Sequence, residues 1–214
     1  YVFRSDTTYL VAGQVNLAGQ TVFESGSVIK FRPSATGAIV TSNVLCKATR
    51  YHPVVFTAST DSAVGEGIDG GSPSGYYGRI GLDLSGAPTG TVLSNMRFCY
   101  LSNAVLGASL TLRDSQFLRC RTICASGSTA PKFENVLLYR ANTLLGSSIA
   151  FTAVNTTMHF CTNFFASGLP NQVRLTNCLV VCSTNWGTGT RLTNTTVVLD
   201  SDAGVFDKVG PGEH

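Results

Sequence analysis

Charge is what this sequence has least of: only 13% of its 214 residues are Asp, Glu, Lys or Arg, and the net charge is +3. Nucleic acids demand a concentrated basic face, and no segment provides one, so nucleic acid is not an expected partner. No run of about 18 apolar residues occurs, so no helical membrane span is expected. The opening Tyr1-Val2-Phe3-Arg4 lacks the basic-then-apolar plan of a signal peptide. The first residue is not Met, and the chain is expected to be trimmed or cut from something longer. Seven cysteines are present without a Cys-x-x-Cys pair, which excludes the strong zinc signatures; only Cys120 with Cys124 and Cys178 with Cys182 are locally close. Strong helix formers are scarce. What fills the chain is Val, Thr, Phe, Tyr, Gly, Ser and Asn, the residues of strands and turns. An all-β fold is expected, in one domain over residues 1–214.

The pattern apolar-x-(Asn/Asp)-x-x-apolar recurs six times. It reads Leu93-Ser94-Asn95 with Phe98, Leu112-Arg113-Asp114 with Phe117, Phe133-Glu134-Asn135 with Leu138, and Ala153-Val154-Asn155 with Met158. Leu175-Thr176-Asn177 with Val180 and Leu192-Thr193-Asn194 with Val197 complete the set. The polar residues are 19, 21, 20, 22 and 17 apart. A period near twenty means stacked units, none of which can bury its apolar side alone. Leucine-rich repeats share the period but need a longer Leu framework and an often helical connecting half. Here the connecting half is Ser/Thr/Gly-rich, as in Ala125-Ser126-Gly127-Ser128-Thr129 and Gly187-Thr188-Gly189-Thr190.

The expectation is therefore a right-handed single-stranded parallel β-helix of roughly nine coils of about 20 residues, each rising about 4.8 Å. In it Asn95, Asp114, Asn135, Asn155, Asn177 and Asn194 form a ladder. A short polar residue at a tight bend takes an αL-like conformation, and its amide bonds the equivalent residue one coil away. Positions two before and three after it stack into the core. Asn155-Thr156-Thr157 and Asn194-Thr195-Thr196 also read as glycosylation sequons, which burial in a ladder would block. Cys99, Cys120, Cys161 and Cys182 keep the same beat, with Ala141 at the missing rung. Such a stack is either reduced and apolar in character or bridged as Cys99–Cys120 and Cys161–Cys182, and spacing leaves both open.

Residues 1–91 keep the strand alphabet with looser spacing and are expected to hold two or three further coils. Residues 92–199 hold six regular coils, and 200–214 form a C-terminal tail in which Val205-Phe206 could act as a modest cap. Residues 59–81 turn to Asp, Gly, Ser and Tyr and read as a loop protruding from the stack.

Glu24-Ser25-Gly26-Ser27-Val28-Ile29-Lys30-Phe31, then Pro53-Val54-Val55-Phe56-Thr57-Ala58-Ser59-Thr60-Asp61 through Gly65, resemble the opening coils of β-helix regions in very large secreted bacterial surface proteins. Those regions read "epGvvVkF", "pIvFTs" and "DDsvGG" before a "WGgI" that re-enters the helix. The likeness covers about residues 9–82, and the Asn pattern extends it to about 199. Two departures stand out: the paired Asp is reduced to Asp61, and the Trp-Gly-Gly-Ile element becomes Tyr77-Gly78-Arg79-Ile80. The resemblance implies an extracellular or cell-surface location and neighbouring domains in a larger chain. It specifies an architecture better than an activity, because adhesins, stalks, lyases and hydrolases share the fold.

The expected function is a non-catalytic structural or adhesion segment that binds glycans along its flank. The alternative is a polysaccharide lyase or glycoside hydrolase acting on an acidic polysaccharide. Its known signatures, Asp-Asp, Gly-His-Gly, Arg-x-Pro-x-x-Arg and Asn-Thr-Asp, are missing. Candidate groups for an enzyme are Asp61, Glu66, Asp69 and Asp83, which could also hold Ca²⁺, together with Arg119 and Arg140. Asx-turns are the competing use of those acids. Arg119 and Arg140 share one position on consecutive coils, with Tyr100 a coil earlier. Tyr100, Arg119, Arg140 and Trp186 are the candidate glycan-binding residues, because aromatic faces and guanidinium forks suit acidic sugars. His159 reads as a packing or surface residue and His52 as part of an extended dipeptide before Pro53.

Overall fold

In a computed structural model, residues 1–125, 130–146, 150–166, 172–185, 189–193 and 195–206 are described. They form a parallel β-solenoid of about nine turns, with no helix among the described residues. Strands collect into three parallel sheets. The first holds nine: Thr8–Val11, Val28–Phe31, Val54–Ala58, Met96–Cys99, Gln116–Leu118, Leu137–Tyr139, Thr157–His159, Leu179–Val181 and Val197–Leu199. The second holds eight, from Val2–Phe3, Gln14–Phe23, Ala38–Cys46 and Ile80–Leu84 through Asn103–Gly107 and Thr122–Cys124 to Thr143–Leu145 and Asn163–Phe165. The third holds six: Val92–Ser94, Thr111–Arg113, Lys132–Glu134, Ala150–Val154, Gln172–Thr176 and Gly189–Thr193.

Alternation within these short strands builds the core. In the first sheet Ile29, Phe56, Phe98, Phe117, Leu138, Met158 and Val180 lie in register and are almost wholly buried. In the third sheet Leu93, Leu112, Phe133, Ala153, Leu175 and Leu192 do the same, and only the last is exposed. From Leu93 and Phe98 onward these are the positions two before and three after the polar residue, as expected. The last coil departs by one: Val198, not Val197, pairs with Val180. Aromatic rings stack along the axis, Phe56 on Phe98 at 4.7 Å and Phe98 on Phe117 at 5.1 Å, nearly parallel.

Two of the three corners are tight bends on a single left-handed residue. Between the third and first sheets, Asn95, Asp114, Asn135, Asn155 and Asn177 all have φ near +50°. Between the first and second sheets, Tyr100, Arg119, Arg140, Phe160 and Cys182 do likewise, each five residues later. The third corner absorbs the irregularity. From Val105 to Thr111, Cys124 to Lys132, Leu145 to Thr152 and Phe165 to Arg174, all in register, the steps are 6, 8, 7 and 9 residues. They rise and fall with coil spacings of 19, 21, 20 and 22, so the rest of each coil has constant length.

The cysteines do not share one rung. Cys99 pairs with Leu118, whereas Cys120 and Cys161 follow their bends with Ala141 between them, and Cys182 is itself a bend residue. The 21-residue spacing from Cys99 to Cys120 differs from the 19-residue coil between Tyr100 and Arg119. All seven are free thiols.

Two excursions leave the stack. Residues 47–53 project at the first bend; Lys47 N–H donates to Phe23 O, and Gly26 N–H to His52 O. Residues 59–79 leave at the second bend but do not stand clear of the stack. Lys30, on the outer face of the first sheet, is fully buried beneath them, and its ammonium donates to the carbonyls of Asp61 and Glu66, both at 2.6 Å. Tyr77 re-enters where the resemblance has Trp: it is buried, its N–H donates to Tyr100 O, and its hydroxyl meets Thr60. Gly78 follows at φ +58°, where a Cβ would lie 2.8 Å from the Phe31 ring, so only glycine fits the return.

Candidate functional site

The second bend row supplies the chemistry. A tight bend turns its side chain outward, so Tyr100, Arg119, Arg140 and Phe160 line up on successive coils, about 4.8 Å apart by strand spacing. The Arg140 guanidinium lies 5.2 Å from the Tyr139 ring centroid and 5.6 Å from that of Phe160, both within cation–π range. Arg121 sits 5.1 Å from the Tyr76 ring, which the 59–79 loop brings over the flank. Burial pushes the Tyr100 phenol pKa up, and the neighbouring Arg119 charge partly offsets it.

The loop turns this row into a trough. At one end Asp61, Ala63 and Val64 face Arg97, Tyr100 and Arg119 across a pocket of about 140 Å³. Beside it Pro73, Gly75 and Tyr76 face Tyr100, Arg119, Arg140 and Asn142 across a wider space of about 290 Å³. The two share Tyr100 and Arg119. Farther along the sheet, tail residues fold back: Phe206 packs on His159 with centroids 4.6 Å apart, and Asp202 Oδ2 lies 3.3 Å from His159 Nε2 without hydrogen-bond alignment.

The four candidate acids are not brought together. Asp61 accepts the Thr57 hydroxyl at 2.6 Å and the Ala63 N–H at 3.0 Å, closing an Asx-turn. Asp83 does the same with Ser85 N–H. Asp69 lies 3.5 Å from Arg32 Nε, and Glu66 is fixed through its backbone to Lys30 and Thr8. Among the described residues no group of three or more His, Cys, Asp or Glu could hold a metal ion. Trp186 and Asn194 lie outside the described residues.

Along the first bend row, Asn135 Nδ2 donates to Asp114 Oδ1, and Asn177 Nδ2 to Asn155 Oδ1 at 2.7 Å. Asn95 donates instead to Ala48 O at 3.1 Å, and Thr195 donates to Asn177 Oδ1. Arg97, Arg121, Tyr76, Tyr139 and Phe160 were not singled out by sequence reasoning. The constant offset of five residues after each Asn would have found Phe160.

Compared with known protein families, curated proteins and solved structures, the chain finds no match.

Proposed function

We propose that this chain is a non-catalytic, extended segment of a larger secreted or cell-surface protein, built on a right-handed coil like that of the surface-protein regions it resembles, and that it holds acidic glycans along its second bend row. The observation that carries this reading is the register of Tyr100, Arg119 and Arg140 on three consecutive coils beneath the 59–79 loop. Guanidinium groups at coil spacing offer forked donors to successive carboxylates or sulfates of one polymer strand. Tyr100 adds a ring face for sugar carbons, and Tyr76 and Phe160 hold the Arg121 and Arg140 guanidiniums beside the row. The acids support the same reading by their occupation: Asp61 and Asp83 are tied to turn N–H groups, and Asp69 faces Arg32, so they hold turns and the loop rather than a substrate.

The test is binding and turnover measured together on polygalacturonate and a sulfated polysaccharide. Arg119→Ala with Arg140→Ala should lower affinity at least tenfold, and binding should weaken as salt screens the contacts. Ultraviolet absorbance and reducing ends should stay flat. Release of unsaturated or reducing product that Arg119→Ala abolishes would replace this reading with a lyase or hydrolase.

A further inference from the structure

The other excursion stands over the other bend row, and it makes a second groove. Arg50, from residues 47–53, faces Asp114, Ser115, Gln116, Asn135, Leu137, Asn155 and Thr157 across about 300 Å³. Asn95, first in the row, holds the excursion by donating to Ala48 O. Tyr51, beside Arg50, is 98% exposed, the most exposed large apolar side chain described.

The amide row is interrupted inside this groove. Asn135 is bonded back to Asp114 and Asn155 forward to Asn177, yet among the described residues no bond joins Asn155 to Asn135. One coil step therefore presents a spare acceptor, Asn135 Oδ1, beside a spare donor, Asn155 Nδ2, both on exposed side chains. Arg50 and Asp114 line the same space without an ion pair among the described residues. A sugar hydroxyl both donates and accepts, so it completes such a pair where a purely anionic group satisfies only the donor. Asp114 adds an acceptor that repels anions and accepts hydrogen bonds from hydroxyls, and Tyr51, next to Arg50 in the chain, offers an exposed ring.

We infer that the first bend row, from Arg50 and Tyr51 across Asp114 to Asn135 and Asn155, is a second glycan site that takes neutral, hydroxyl-rich saccharide. It is chemically opposite to the basic trough on the other corner. The two sites fail separately, because one binds anions through Arg119 and Arg140 and the other binds neutral sugar through amides.

The experiment titrates isotope-labelled full chain with cello-, manno-, xylo- and chitotetraose, and with an uncharged Gly-Ser peptide, following backbone and Asn side-chain amides by NMR. The expected result is that at least one tetrasaccharide shifts the Asn135 and Asn155 side-chain signals. Tyr51→Ala, Arg50→Gln and Asn155→Gly should each weaken that binding about fivefold or more, the loss of roughly one good contact. Tyr51→Ala removes only exposed atoms, and Asn155→Gly keeps the left-handed bend, so folding is retained, and polygalacturonate binding should not change. No shift with any tetrasaccharide, affinity unchanged in all three variants, or response to the peptide alone would overturn the assignment.

Discussion

Residues 1–91 and residues 92–199 solve the same stacking problem in different ways. In the early coils the third corner is only a shift of register inside a continuous strand: Gln14–Phe23 pairs with Ala38–Cys46 along nearly its whole length, slipping between Leu17 and Gln20. Irregularity there goes to the other two corners, as the excursions 47–53 and 59–79. In the later coils those two corners are single-residue bends, and the number of residues between the second and third sheets is what varies. The functional surfaces arise where the two regions meet, because each early excursion leans over one late bend row. A regular solenoid alone would present two rows of side chains and no grooves.

Thiols divide the two regions most sharply. Six of seven cysteines lie beyond residue 92; burial pushes Cys120, Cys124 and Cys161 from 9.0 up to about 12, and Cys99 higher still. A folded-state value raised this way gives stability that is complete below pH 9 and lost as pH climbs toward 12. Each such thiol costs on the order of 1 kcal/mol per pH unit above its ordinary value, and several acting together in one stack take a large share of the marginal stability of a domain. Chemical unfolding followed from pH 8 to 10.5 should show a steep loss, and hydrogen exchange at pH 10 should open the later coils first. A flat profile would mean these thiols reach solvent.

Phe98 joins the regions, stacked between Phe56 of the earlier coils and Phe117 of the later ones. Phe98→Ala should cost about 3–5 kcal/mol in denaturant unfolding. If the two regions then unfold in separate transitions, the stack is what couples them. Lys30→Met is the matching test of the early coils alone. It keeps the aliphatic stem but strands the carbonyls of Asp61 and Glu66, at a cost of about 3 kcal/mol. The 59–79 loop should become protease-sensitive while the later coils keep their protection. Trough binding should fall with the loop, since Asp61, Ala63 and Tyr76 form its wall.

The bend rows also show what was legible in the sequence. The first row was visible because Asn and Asp are the non-glycine residues most at ease with positive φ, so the geometry selects a chemical type that recurs in print. The second row has identical geometry but holds Tyr100, Arg119, Arg140, Phe160 and Cys182, which share no chemistry. Only Arg119, Arg140 and Tyr100 were read as one position on consecutive coils, whereas Cys182 was assigned to the cysteine beat and Phe160 was passed over. The cysteine beat misled because a spacing of 21 between Cys99 and Cys120 matches the mean period rather than that coil's own length. Lys30 could not be read as a buried clamp, since its partners are carbonyls more than thirty residues away. Asn135→Ala against Asn135→Gly measures the selection directly: alanine should cost about 1 kcal/mol at φ +54° and glycine much less.

The smallest effect separates the outer face of the late coils from their bends. Glu134 accepts from Lys132 and, one strand away, from Arg113 at 2.7 Å. The Lys132 ammonium first, then the Arg113 guanidinium, hold its carboxyl below the ordinary value of 4.5. A lowered folded-state value stabilises above the unfolded value and is lost as pH falls below 4.5 through the folded one. The group is near solvent, so the pair is worth little. Glu134→Gln should leave stability at pH 7 slightly reduced and should flatten the decline between pH 5 and pH 3. If the variant instead loses as much as Asn135→Ala, cross-strand charge pairing, and not bend geometry, is what sets the register of the regular coils.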